Sequence, residues 1–67
     1  MQEQVINNVN KLRAEKNITQ EELAKAVSVT RQTIIAIEKG NYTPSVLLAL
    51  KIATYFQRPV DEIFVIV

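Results

Sequence analysis

The sequence predicts an all-α domain built from five helices. Apolar residues recur at helical rather than strand spacing through the middle of the chain. Thr19, Thr30 and Ser45 stand as N-cap residues ahead of three apolar-periodic segments. Asn17, Gly40 and the Asn41-Tyr-Thr-Pro44 stretch supply the stops between them.

Each element follows from local chemistry. Val9 and Leu12 set the apolar face of a first helix that ends at Lys16, with Asn17 as a left-handed closing residue. Thr19 and Glu22 have capping-box spacing: the Thr hydroxyl serves the third helical amide, and the Glu carboxylate serves the Thr amide. Ile18 and Leu23 flank that cap as a hydrophobic staple, so a short second helix covers residues 20–26. Val29 and Ile34 repeat the staple spacing around Thr30, and a third helix runs over 31–39 to Gly40. Ser45 caps a fourth, apolar helix ending near Phe56, and a last helical turn covers 61–64. The two ends, residues 4–7 and 64–67, are rich in β-branched side chains. They either fray or pair as a two-stranded antiparallel sheet; pairing removes the aggregation hazard of an exposed Val-Ile-Val run.

Length and composition bound the function. The chain has 67 residues, with no repeat and no linker, and reads as one domain over 1–67. At this size only ~60% of the unfolded surface is buried, so a partner subunit would help. Cysteine and histidine are both absent, which leaves no donor set for zinc or copper and implies no metal and no cofactor. Residues 1–4 lack a basic leader pattern, and no apolar run approaches the ~20 residues of a membrane span. A cytoplasmic protein with no membrane partner is expected. Net charge is only +1, so a nucleic-acid partner is argued from where the charges sit. Catalysis without histidine or cysteine needs paired carboxylates in a cleft. The adjacent acids Glu21-Glu22 and Asp61-Glu62 stand at helix starts, where the dipole already explains them. An enzyme is not expected.

Two short helices joined by a tight turn form a unit that places its second helix in the DNA major groove. At ~100° per residue the third helix splits into two faces. Ile34 and Ile37 lie on one, with Thr33 and Glu38 at its margins; Gln32, Ile35, Ala36 and Lys39 lie on the other, with Arg31 at the edge. The second face has no acid. Glutamine matches an adenine edge, arginine a guanine edge, and an aliphatic group a thymine methyl. The alternative is that Arg31 and Gln32 merely solubilise a helix start, and composition alone leaves it open.

The stretch from Thr19 through Ser45, continued by Leu48-Ala-Leu-Lys-Ile-Ala53 and Val60-Asp-Glu-Ile-Phe64, resembles the Cro/phage-repressor helix-turn-helix family. The match spans nearly the whole chain, and it is most similar to small stand-alone bacterial regulators of the cytolysin-repressor type. That resemblance implies a five-helix lambda-repressor-like fold, a small sheet from both termini, a homodimer, and double-stranded operator DNA as partner. It places Gln20 on a phosphate, and Arg31, Gln32 and Ala36 on bases. Thr30, Lys39, Asn41 and Tyr42 fall near the DNA backbone; Thr33 and Ile35 complete the candidate DNA-binding set. Arg13 and Glu38 match a structural ion pair between the first and third helices. Pro59, Val60, Ile63 and Phe64 are the candidate dimer contact, because so small a core has little room for all of them.

Two positions depart from the family. Ser28 stands where glycine is usual in the turn, which implies a left-handed residue carrying ~1 kcal/mol of strain. Leu47 stands where a polar residue is common, either as a single exposed leucine or as part of a contact. The reading is a sequence-specific transcriptional regulator, a homodimeric repressor on a palindromic operator. The rivals are the antitoxin of a toxin–antitoxin pair and a helical protein-interaction module without DNA binding.

Overall fold

The computed structural model describes residues 3–67; Met1 and Gln2, half of the tetrapeptide read for a leader, lie outside the described residues. In chain order the elements are β1 (Val5–Asn7), α1 (Val9–Lys16), α2 (Gln20–Ala26), α3 (Arg31–Glu38), α4 (Val46–Phe56), α5 (Val60–Ile63) and β2 (Phe64–Ile66). The expected five helices and terminal sheet are all present.

Side-chain caps set the starts of α2, α3 and α4. The Thr19 hydroxyl accepts from the Glu22 amide at 3.0 Å, and the Thr19 amide donates to the Glu22 carboxylate at 2.8 Å, closing the capping box. The Thr30 and Ser45 hydroxyls accept from the Thr33 and Leu48 amides at 3.3 and 3.1 Å. The ends of α1 to α4 share one device. Asn17, Ser28, Gly40 and Gln57 all have positive φ, between 56 and 80°. After each, the next amide reaches back to a carbonyl in the helix's last turn: Ile18 to Arg13, Val29 to Ala24, Asn41 to Ala36, Arg58 to Ala53. This Schellman closure satisfies carbonyls that would otherwise be orphaned.

Two boundaries differ from the sequence expectation. Lys39 lies just outside α3, because the closure through Gly40 ends the helical bonding at Glu38. The last helix starts one residue earlier, at Val60 behind Pro59, and ends at Ile63; Phe64 is extended (φ −115°, ψ 120°) and opens β2.

The core is a single cluster. Val9, Leu12, Leu23, Ala24, Val27, Ile34, Ile37, Leu48, Ile52, Ala53 and Ile63 are buried, with Ile18, Val29, Tyr55, Phe56, Val60 and Phe64 packed around them. Every helix contributes. The ribbon pairs Val5 with Ile66, Ile6 with Val65 and Asn7 with Phe64, antiparallel, and Gln4 and Val67 extend it by two backbone hydrogen bonds. Alternation turns Asn7 and Phe64 toward the helices and leaves the Ile6–Val65 pair on the opposite face.

Ile63 was expected to help form a subunit contact, and here the structure corrects the sequence reading. Its side chain is 0% exposed, enclosed in the core, so it is unavailable to a second subunit. Val60 and Phe64 remain half-buried and Pro59 exposed.

Candidate nucleic-acid interface

α2 and α3 pack against each other across the turn from Val27 to Thr30, which makes the two-helix unit. α3 is anchored by Ile34 and Ile37, both buried, so its opposite face is turned outward. Arg31, Gln32 and Lys39 are exposed there, with Ile35 and Ala36 half-buried between them. No carboxylate interrupts that stripe. Arg31 and Lys39 bracket an amide and two aliphatic groups, a set suited to phosphate and base edges. Asn41 and Tyr42 follow in the exposed loop, Tyr42 at 46% exposure.

Other expected residues are partly occupied inside the protein. The Thr30 and Thr33 hydroxyls lie 3.1 Å apart, and the Thr30 hydroxyl also caps α3. Gln20 is half-buried, and its Nε2 donates to Glu38 Oε1 at 3.0 Å. A carboxamide carries a second N–H, so Gln20 keeps one donor and its own oxygen for a partner outside the protein. Gln20 and Arg31 border one shallow groove, together with Arg13, Ile18, Thr19 and Glu21. At the other side of the unit Thr33 and Tyr42 border a second groove, with Leu47 and Lys51. Leu47 is 65% exposed, on an apolar patch with Val46 and Leu50.

What holds α3 in place is Glu38. Its Oε2 accepts from Arg13 Nε at 2.8 Å; its Oε1 accepts from Arg13 Nη2 at 3.2 Å, from Gln20 and, at 3.4 Å, from Asn10 Nδ2. Arg13 Nη1 also donates to the Ile18 carbonyl at 2.9 Å. One carboxylate thus ties α1 and the start of α2 to the end of α3. Burial alone would push the Glu38 carboxyl up, but the hydrogen bonds from Arg13, Gln20 and Asn10 and the charge of Arg13 outweigh it, and the group is held below the usual carboxylate value. The hydrogen bond to Glu38 raises Arg13 in turn, against its own burial and with the help of charge.

The family model described as "Helix-turn-helix" matches residues 9–63, and that span contains both helices of the unit and the whole core. The chain belongs to the helix-turn-helix family of Cro/C1 type. An uncharacterized HTH-type transcriptional regulator of Methanocaldococcus jannaschii is 54% identical over 59 residues, covering 88% of this chain and 89% of its own. The transcriptional repressor RstR of a cryptic phage of Vibrio cholerae is 33% identical over 55 residues, covering 82% of this chain and 50% of its own. Among solved structures, the restriction-modification controller protein C.AhdI of Aeromonas hydrophila superposes with a TM-score of 0.76 at 29% identity, covering 82% of this chain and 83% of that one. This helix-turn-helix protein is a DNA-binding transcriptional regulator and not an enzyme. No helix among the described residues is long and apolar enough to cross a membrane.

Two features escaped the sequence. The Gln20 and Asn10 bonds to Glu38 span 18 and 28 residues, and the Asn7 amide reaches the Ile37 carbonyl 30 residues away. Helical periodicity carries no signal for contacts of that separation.

Proposed function

We propose that the chain acts in the cytoplasm as a homodimeric repressor on a palindromic operator, with residues 1–67 working as a single domain. The acid-free outward stripe of α3 carries this reading. Gln32 reads a base through its carboxamide, Arg31 a base or the phosphate beside it, and Ile35 and Ala36 pack on the groove floor. Lys39, Asn41, Tyr42, Thr30, Thr33 and the free N–H of Gln20 hold the backbone and fix the register. The likeness to a phage repressor supports repression.

The subunit contact uses Pro59, Val60 and Phe64, joined by the outward Ile6–Val65 pair of the ribbon. Ile6 is 49% exposed and Val65 37%, and no charged residue lies between Val5 and Asn7 or between Phe64 and Val67. An uncharged, partly exposed apolar surface suits a second copy.

Selection of bound sites from a random duplex pool tests the proposal. The expected product is an inverted repeat with half-site centres about 34 Å apart, one helical turn. A single unrepeated site would overturn the dimer; failure to enrich any sequence would overturn sequence-specific reading.

A further inference from the structure

Asn7 ends β1, paired across the ribbon with Phe64. Its half-buried side chain is used at both ends. Oδ1 accepts from the Val9 amide at 3.1 Å, in the first turn of α1. Nδ2 donates to the Ile37 carbonyl at 2.9 Å, in the last turn of α3. One partner is a donor and the other an acceptor, so the orientation of the carboxamide is determined. Asn8 extends the link: its amide donates to the Ile63 carbonyl at 3.0 Å and its Nδ2 to the Glu62 carbonyl at 2.9 Å. Two consecutive asparagines therefore connect the DNA-reading helix to the α5–β2 segment. Among the described residues, the Asn7–Ile37 bond is the only hydrogen bond between the ribbon and α3.

α3 does not need this bond in order to end. The Ile37 carbonyl already accepts from the Gly40 amide at 3.0 Å as part of the helix closure. A carbonyl has two lone pairs, and Asn7 takes the second. What Asn7 adds is placement.

We propose that Asn7 is a positioning residue that sets where α3 stands relative to the subunit contact, and thereby which half-site separation the dimer accepts. The proposal rests on the dimeric DNA-binding reading above. Its anchor is a backbone carbonyl, so the link is independent of the side chains that read bases.

Asn7→Asp is the discriminating variant. It is isosteric, it keeps the acceptor for the Val9 amide, and it adds a negative charge at the start of α1, where the helix dipole favours one. It loses only the donor and sets a carboxylate against the Ile37 carbonyl. Helix content should stay close to the parent, melting should fall by a few degrees for the lost bond, and both measurements that follow are made below the melting transition.

Two measurements decide. In the free protein, residual dipolar couplings of the α3 amides should no longer fit the parent orientation relative to β2, while each element still fits internally. Couplings that fit the parent orientation would overturn the proposal, whether or not the protein binds DNA. On DNA, titrations would compare the selected palindrome, versions with the half-sites moved by one base pair, and a single half-site. Affinity for the best-spaced palindrome should fall at least fivefold, affinity for the half-site less than twofold, and the spacing preference should broaden. An equal loss on every DNA would mark a merely structural role, and no loss on any would remove the role. A parent protein that proved monomeric would sink the dimer reading, leaving the couplings to decide what Asn7 does to α3.

Discussion

Ser28 holds φ at 63° in the turn between α2 and α3, a conformation that costs a non-glycine residue about 1 kcal/mol. Of the four left-handed residues that close helices, only Gly40 adopts the conformation freely, and Asn17 tolerates it better than Ser28 or Gln57. Ser28→Gly should therefore stabilise the protein by up to about 0.5 kcal/mol, after the entropy a glycine adds to the unfolded chain. At this chain length that is a rise of a few degrees in Tm; an unchanged or lower melt would show that the turn is unstrained. Glu38 predicts the opposite sign. Its carboxyl is held below the usual value in the folded state, so its contribution is complete above the ordinary carboxylate pKa of about 4.3 and drains away as pH falls through the lower folded value. Glu38→Gln should cost about 1.5–3 kcal/mol at neutral pH, since it removes the charged acceptor from Arg13. Urea titrations at a series of pH values below 5 should show a shallower acid slope in the variant. Parallel slopes would mean that Glu38 does not carry this part of the acid sensitivity.

Elements were legible in the sequence to the extent that their signals are local. A cap reaches three residues and a Schellman closure five, so the starts of α2 to α4 follow from Thr19, Thr30 and Ser45, and stops from residues such as Asn17 and Gly40, whereas α1 begins without a side-chain cap. α5 has four residues, too few for periodicity to show which side is buried, and so Ile63 read as available when it is enclosed. The outward face of α3 was legible because Ile34 and Ile37 fix its rotation. The tie between Arg13 and Glu38 came from a family likeness, and Asn7 from neither source, because these bonds join distant parts of the chain. The α3 face makes a prediction that separates its members. Gln32→Ala should cost about 1–3 kcal/mol on the selected operator and relax preference at one or two base pairs. Lys39→Ala should weaken all sequences alike and reduce the salt slope by about 1. Titrations on operator and scrambled duplexes at several salt concentrations would distinguish them. Equal binding of the operator by Gln32→Ala and the parent would refute base reading by that residue.

The whole molecule is closed by its ends. Only two registered ribbon pairs, Val5–Ile66 and Ile6–Val65, precede the Asn7–Phe64 pair that touches the helices, with Gln4 and Val67 exchanging two more backbone bonds beyond them. A two-stranded ribbon alone is marginal in water, so this one persists because Asn7 and Phe64 join it to the helices. Deleting residues 65–67 removes both outer pairs, strips β1 of its backbone partners and exposes Val5 and Ile6 further. At about 0.5–1.5 kcal/mol net per lost hydrogen bond, the truncated chain should lose about 2–4 kcal/mol, enough to lower Tm by ten degrees or more. No deleted residue belongs to the proposed DNA-reading face, yet operator affinity should fall as well. The outward Ile6–Val65 pair disappears from the proposed subunit contact, and a looser contact holds the two copies of α3 less well at the spacing of successive major grooves. Thermal melts and operator titrations, run below the melting transition of the truncated chain, would separate these effects. A lower Tm with full operator affinity would leave the ribbon a purely stabilising role; unchanged values in both would show that β2 beyond Phe64 contributes nothing to the fold.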